Sequence, residues 1–229
     1  MRMSIRTIVL SCQVMAEALA HAETGSAVRR RRSDGERSRN AILHEAAQLA
    51  TVEGLGGLSI GRLADAVGMS KSGLFAHFGS KEELQLATIE TAGVVFKDVV
   101  IAPALAAPTG LERLEALAEN FLRHVEDGVF PGGCFFASVA AELDTHPGPV
   151  RDLALEVVEE WFGLLVAAVG DAQAEGALDP SGDPTQLVFE LDAYLLLANA
   201  QFVISGDPAP IDRARRAIEY RLAAAAPGA

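Results

Sequence analysis

Residues 58–84 read LSIGRLADAVGMSKSGLFAHFGSKEEL and predict two short helices joined by a tight turn. Ser59 and Ser70 are placed to cap the two helices, and Gly68 allows a sharp turn without a Cβ clash. The first helix carries an apolar face that can brace the second, and this face consists of Ile60, Leu63, Ala64 and Val67. This pattern predicts a helix-turn-helix, whose second helix enters the major groove of DNA.

The start of the second helix has the chemistry of a DNA-contacting surface. Its first turn, residues 70–73, carries free backbone N–H groups and a partial positive charge, both of which attract phosphate. Its polar side chains are mostly short, and Gly73 lets the backbone approach DNA closely. Leu74 and Phe78 form the inner edge of the helix.

The rest of the chain also predicts helices, so the expected fold class is all-α. A helix is expected from about Arg37 to Glu53, and Gly54 ends it. Ser80 and Glu83 form a capping box that opens a longer helix to about Val100. Turn-forming residues separate five more helices, at 109–127, 134–143, 149–175, 184–205 and 208–225.

Three regions follow from this pattern: a mobile extension at 1–36, a DNA-binding domain at 37–83, and a larger helical domain at 84–229, for which effector binding and dimerisation are expected from a family resemblance of residues 37–84. The run Arg29–Arg32, with Arg37 and Arg39, either forms an arm along the DNA backbone or minor groove or merely solubilises the chain. Polar residues interrupt the apolar stretch near the N-terminus, which disfavours a signal peptide. No run of about 20 apolar residues occurs, so no membrane span is expected.

Charge is distributed unevenly along the chain. The net charge is -12, yet residues 29–83 carry nine basic and seven acidic side chains, whereas residues 84–229 carry eight and 22. Contact with nucleic acid therefore belongs to the first third, since phosphates repel the acidic remainder. Cys12 and Cys134 show no pairing or metal-ligand spacing, which favours a reducing cytoplasm.

Residues 37–84 resemble the tetracycline-repressor (TetR) family. The helix-turn-helix matches that family's pattern at Ile60, Leu63, Ala64, Gly68, Ser70, Gly73, His77, Phe78, Ser80, Lys81 and Leu84. It departs from the pattern at Ala50, Leu58, Phe75 and Ala76, and Phe75 lacks the phenolic hydroxyl of the usual tyrosine. The later stretch GGCFFASVAAELDTHPGPVRD, residues 132–152, also looks like members of the family.

The resemblance implies a homodimer that binds a palindromic operator in double-stranded DNA and releases it when a small molecule enters the C-terminal domain. The expected DNA-contacting residues, several of them at family contact positions, are Ser59, Ser70, Lys71, Ser72, Gly73, Phe75, His77 and Lys81. Phe75 is expected to pack against the helix edge and a sugar rather than read a base.

Two helices near the C-terminus predict the dimer interface. Residues 191–204, LDAYLLLANAQFVI, are apolar around almost the whole helix, so one side packs on its own bundle and the other needs a partner chain. The last helix carries a further apolar stripe suited to the same interface, formed by Ile211, Ala214, Ile218 and Leu222.

The effector pocket is expected among aromatic residues of the C-terminal domain. Trp161, the only tryptophan, lies mid-helix, and its indole N–H needs a partner or a cavity. The expected ligand-binding residues are Phe96, Phe121, Phe135, Trp161, Tyr194 and Asn199. Such a pocket is mainly apolar and suits a neutral or cationic lipophilic compound better than a small anion.

Other functions remain open on the sequence. A regulator without a ligand would share the DNA-binding domain and lack the pocket. An enzyme is disfavoured because the chain has no glycine-rich phosphate loop and no nucleophile elbow, and no cofactor is expected. The scattered histidines predict no metal site, and Cys134 is interpreted as a buried structural thiol. Glu142, Asp144 and His146 are interpreted as helix-capping residues.

Overall fold

The computed structural model describes residues 26–143 and 147–228, with side chains from residue 35, and within these ranges it contains helices and no strand. The N-terminal unit consists of α1 Ser26–Glu53, α2 Ile60–Val67 and α3 Lys71–Phe78. α4 Lys81–Phe96 leads into a bundle formed by α5 Gly110–Glu126, α6 Phe135–Leu143, α7 Pro149–Ala174, α8 Pro184–Ser205 and α9 Ala209–Ala223. The predicted all-α fold, with a helix-turn-helix followed by a bundle, is confirmed.

Local hydrogen bonds set the boundaries of the helix-turn-helix. The hydroxyl of Ser59 accepts from the Arg62 N–H at 3.2 Å, and that of Ser70 accepts from the Gly73 N–H at 3.1 Å. Gly68 ends α2 in the left-handed region, with φ 66°. The inner faces of the two helices are buried through Leu63, Ala64, Leu74 and Phe78.

α4 connects the two units, and the helical winding changes after its last residue, Phe96. The hydroxyl of Ser80 accepts from the Glu83 N–H at 3.1 Å, as the capping box predicts. Beyond Phe96 the chain makes a π-helical turn, Lys97–Ile101, and one more helical turn, Ala102–Ala104. The side-chain amide of Asn120 on α5 donates to the Val100 carbonyl at 3.0 Å, which fixes the π-helical turn to the bundle.

The start of α1 differs from its predicted position. The helix begins at Ser26 rather than near Arg37, so part of the predicted 1–36 extension is helical. The prediction relied on apolar periodicity, which starts only at Ile42, whereas the arginine-rich stretch before it has good intrinsic helix propensity. Residues 1–25, including Cys12 and the stretch considered as a signal peptide, lie outside the described residues.

The apolar stripe of α9 is also used differently from its prediction. Ile211, Ala214, Ile218 and Leu222 are buried within the protomer, where α9 packs on α8 and α5. These four side chains are therefore core residues and are not available to a partner chain. The sequence shows that the stripe must be covered but not by which neighbour.

α8 is the most apolar long helix of the described residues. It is the one helix there that is long and apolar enough to cross a membrane, by length and composition alone. Only 33% of its most apolar window is buried, so much of its surface faces outward. A bundle helix with an uncovered apolar side has the same length and composition.

His124 on α5 is a buried polar side chain without a partner. Within the described residues, neither of its ring nitrogens has a hydrogen-bond partner. The rings of Phe96 and Phe130 lie edge-on to it, with centroid distances of 5.8 and 5.7 Å. Burial lowers the pKa of His124 from 6.5 to about 4, so the imidazole is neutral at physiological pH.

This burial predicts a loss of stability in acid. Because the unfolded chain binds the proton more tightly than the folded one, stability rises with pH between the folded and unfolded pKa values. We expect the free energy of unfolding to be about 2 kcal/mol lower at about pH 5 than at pH 7.5 from this group alone. Chemical denaturation of His124→Leu should show that much less pH dependence, whereas His44→Gln, at an exposed position, should behave like the parent protein. Equal pH dependence in both variants would contradict the assignment.

Candidate nucleic-acid interface and ligand cavity

The outer surface of α3 is exposed and carries few internal contacts. Lys71 and Ser72 are exposed at its first turn, and Phe75 exposes 54% of its surface although it is aromatic. The hydroxyls of Ser70 and Ser72 lie 3.3 Å apart, next to the free end of the helix. An exposed aromatic ring beside a lysine and two serines can contact sugar and phosphate together.

The other predicted DNA-contacting residues differ in their exposure and in the hydrogen bonds that they already make within the protein. Ser59, Gly73 and His77 are partly buried, and the hydroxyl of Ser59 is already engaged with the N–H of Arg62. Lys81 is exposed, but its ammonium donates to the Gly56 carbonyl at 2.6 Å. Lys81 therefore orders the loop before α2 as well as facing solvent.

Arg39 and Arg62 both have partners within this unit. The guanidinium of Arg39 lies 4.8 Å from the centroid of the Phe78 ring, so it packs on the helix-turn-helix rather than extending as part of an arm. Arg62 donates to both carboxylate oxygens of Glu53 at 3.0 Å from its Nε. The side chains of Arg29–Arg32 lie outside the described residues.

The bundle holds the loop between α1 and α2 through one carboxylate. Glu142, near the end of α6, accepts from the N–H of Leu55 at 2.7 Å and from the N–H of Gly56 at 2.6 Å. From α4, Gln85 donates to the Leu55 carbonyl at 2.7 Å, and Lys81 holds the Gly56 carbonyl. We call this set of contacts the Glu142 clamp. Glu142 thus bonds to another domain, and its interpretation as a helix cap is wrong; Asp144 and His146 lie outside the described residues.

A second contact fixes the end of α1 to the loop between α5 and α6. Gln48 donates to the Val129 carbonyl at 3.0 Å, and the Gly132 N–H donates to the Thr51 hydroxyl at 3.1 Å. A Cβ at Gly132 would lie 2.0 Å from the Thr51 carbonyl oxygen, so only glycine permits this approach. The DNA-binding unit is therefore held by the elements that flank α6 and by α6 itself.

The bundle contains an aromatic cavity of about 220 Å³. Phe96 lies edge-on to Trp161 at 5.3 Å between ring centroids, and Phe121 stacks on Trp161 at 5.9 Å. The indole N–H of Trp161 donates to Asp192 at 3.1 Å. The remaining wall consists of Cys134, Phe136, Ala137, Ala140, Ala141, Val157, Val158 and Leu196.

Only some of the ligand-binding residues predicted from the sequence line this cavity. Phe96, Phe121 and Trp161 line the cavity, whereas Phe135 is buried behind it and Tyr194 is half-buried elsewhere on α8. Asn199 is buried, and its carbonyl oxygen accepts from the Cys134 N–H at 2.8 Å instead of facing the cavity.

The cavity wall also contains Asp192 and Cys134. Asp192 was missed, although a carboxylate in an otherwise apolar helix was a usable signal. Burial raises the pKa of the Cys134 thiol to about 11, in agreement with an unreactive buried cysteine.

Comparisons with known proteins agree with this architecture. A family model described as "Bacterial regulatory proteins, tetR family" matches residues 42–88, and one described as "Tetracyclin repressor-like, C-terminal domain" matches residues 110–218. Together they span more than half of the chain. The chain belongs to the TetR family. It is a DNA-binding transcriptional regulator, as its relatives are, and not an enzyme.

Individual relatives of this TetR-family regulator are distant but extensive. It is 27% identical over 177 residues to the transcriptional regulator TcmR of Streptomyces glaucescens, covering 75% of each chain. A TetR regulator from Chloroflexus aurantiacus superposes with a TM-score of 0.77 at 26% identity, over 83% of this chain and 96% of that one. AibR, solved with isovaleryl coenzyme A and operator DNA, shares the fold at 23% identity and a TM-score of 0.64, over 79% and 95%.

The Glu142 clamp predicts a specific effect of removing its charge. Glu142→Gln replaces two charge-assisted hydrogen bonds by at most one neutral bond, and we expect the free energy of unfolding to fall by about 2 kcal/mol. Amide hydrogen exchange should become faster at Leu55 and Gly56. Glu159→Gln removes an exposed carboxylate of α7 and should change neither quantity. Unchanged protection of both amides in Glu142→Gln would show that the clamp contributes nothing in solution.

Proposed function

We propose that this TetR-family regulator is a cytoplasmic, homodimeric repressor that binds a palindromic operator through α3 and is released by a small lipophilic molecule bound in the aromatic cavity. The supporting observation is that α6 both lines the aromatic cavity and holds the loop that leads into the DNA-binding helices. Phe136, Ala137, Ala140 and Ala141 line the cavity, and the next residue, Glu142, holds the loop that leads into α2.

The DNA contacts assigned to this function start from the exposed first turn of α3. Lys71 and Ser72 face the groove and its phosphates, with Gly73 providing close approach and Phe75 packing on a sugar. This surface is supported or flanked by Ser59, Ser70, His77 and Lys81. The ammonium of Lys81 contacts phosphate either after its hydrogen bond to the Gly56 carbonyl breaks or through another of its N–H groups while that bond is kept. This division follows from the hydrogen bonds that each hydroxyl and ammonium already makes.

The dimer interface assigned to this function is the outward stripe of α8. Phe189, Leu197 and Ile204 expose 64%, 58% and 86% of their surfaces, and they follow one side of the helix with Ala193, Ala200 and Val203. An exposed apolar stripe of this length favours a protein partner. Arg213, Arg216 and Glu219 on the adjacent α9 are exposed and supply a polar rim. In a dimer formed through this stripe, we expect the two α3 helices to meet successive half-sites, about 34–36 Å apart.

Release requires that the ligand prefer the arrangement that does not fit DNA. A ligand that pushes α6 outward moves the carboxylate of Glu142, and the loop at Leu55 and Gly56 follows because two of its N–H groups are bonded to that carboxylate. The first helix of the helix-turn-helix, α2, begins four residues after Gly56, so a small displacement changes the angle of α3 to the bundle.

The experiment that tests this function is footprinting on the DNA that flanks the protein's own gene, followed by titration with lipophilic compounds. We expect a protected palindrome and at least one compound that abolishes protection. Protection that no cavity-binding compound changes would favour a ligand-independent regulator. Absence of any specific site would overturn the proposed repressor function.

Lys71 is expected to contact a phosphate. Lys71→Ala should weaken binding to operator and non-operator DNA alike, by roughly ten-fold, since a phosphate contact carries no sequence information. The slope of log affinity against log salt should fall by about 1.8 for the dimer, one phosphate per protomer. Lys97→Ala removes the same charge from the π-helical turn and should leave the slope unchanged; a slope that stays constant in Lys71→Ala contradicts the contact.

The α8 stripe predicts that a charge at its centre prevents dimerisation. Leu197→Glu would place two carboxylates close to the two-fold axis, and we expect a loss of at least about 3 kcal/mol in dimerisation free energy. Sedimentation velocity at micromolar concentration should report a monomer, and operator affinity should fall with it. Leu105→Glu alters an exposed leucine outside the stripe and should remain dimeric. A dimer in both variants would place the interface elsewhere.

A further inference from the structure

The aromatic cavity contains a carboxylate whose charge is not neutralised. Asp192 of α8 lies in the cavity wall and is partly buried there. One of its oxygens accepts from the indole N–H of Trp161. Within residues 35–143 and 147–228, no lysine, arginine or histidine pairs with it.

Such a group is unfavourable in an apolar site unless something compensates for it. A carboxylate removed from water loses its solvation, and a single neutral N–H restores only part of that loss. Burial accordingly raises the pKa of Asp192, and the Trp161 bond opposes this only in part. Other carboxylates of the bundle do have arginine partners, and Glu119, Glu126 and Glu190 are examples. Asp192 is therefore placed to pair with a positively charged group of a ligand that enters the cavity.

The side chains around Asp192 add a second attraction for positive charge. Phe96, Phe121, Phe136 and Trp161 share the wall with it. The faces of aromatic rings attract cations, most strongly when both are shielded from water. A carboxylate beside four aromatic side chains thus favours a cation and disfavours an anion of the same shape.

We propose that the cavity binds a compact organic cation, with its charge against Asp192 and its apolar body against the aromatic wall. This rests on the proposed function of the cavity as the effector site and narrows the effector to one charge class. The volume of about 220 Å³ is below the ~300–1,000 Å³ of typical small-molecule sites, so the ligand is small. The second oxygen of Asp192 accepts from an N–H of the ligand when the cation is a protonated amine.

A pair of probes that differ only in charge tests this assignment. Phenyltrimethylammonium and tert-butylbenzene have nearly the same shape, with nitrogen in one replaced by carbon in the other. Emission from Trp161, the only tryptophan, and calorimetry both report binding in the absence of DNA. We expect the cation to bind at least ten-fold more tightly than the neutral probe.

Asp192→Asn separates charge from shape. It keeps an acceptor for the Trp161 N–H and removes only the negative charge, so cation affinity should fall by about ten-fold while that of the neutral probe stays within about two-fold. Asp127→Asn removes an exposed carboxylate at the end of α5 and should change neither affinity. If Asp192→Asn does not fold, the comparison of the two probes in the parent protein still decides.

Three outcomes overturn the inference: equal affinity for the two probes, tighter binding of the neutral one, and no cation binding at millimolar concentration. Failure of the proposed function would give a different experimental result from failure of this inference. If the cation binds through Asp192 but leaves the operator footprint unchanged, the charge assignment stands and the cavity is not the site of release.

Discussion

The position of the loop that leads into α2 depends on two hydrogen bonds to one carboxylate. The loop between α1 and α2 has the sequence GLGG at residues 54–57, which has little intrinsic order because glycine loses more conformational freedom than other residues on folding. Glu142 supplies that order from outside by binding two consecutive N–H groups, while Gln85 and Lys81 bind the matching carbonyls. The bundle thus determines where the loop lies, and the loop determines where α2 and α3 begin.

Local features of the fold could be predicted from the sequence, and non-local ones could not. Ser59, Ser70 and Gly68 act within three or four residues of their own positions, so the sequence around them contains both partners of each contact. The partners of Glu142 lie 86 and 87 residues away, and nothing in their glycine-rich sequence identifies an acidic partner. For the same reason the α9 stripe was predicted to be buried, but against the wrong neighbour.

The residues of the cavity wall could also be predicted from the sequence only in part. Large aromatic residues at helical spacing predicted an apolar site, and Phe96, Phe121 and Trp161 do meet there because three helices of a bundle must share one core. Which polar group meets the cavity depends on its position along the helix axis relative to the neighbouring elements, and sequence pattern does not determine that position. Asn199 and Asp192 both lie on α8, seven residues apart, yet Asn199 bonds to the backbone of Cys134 and Asp192 faces the cavity.

α8 carries two surfaces whose residues are neighbours in the sequence. Asp192 and Leu196 line the cavity, and Ala193 and Leu197, each one position later, belong to the outward stripe assigned to the second copy. In the proposed dimer, a mutation on this helix that enlarges the cavity would also disturb the interface between the two copies, so the proposed function restricts changes of ligand specificity through α8. The alanines of α6 at positions 137, 140 and 141 do not lie on that stripe. If the cavity is the effector site, as proposed, effector specificity would therefore diverge through α6 while α8 stays almost fixed.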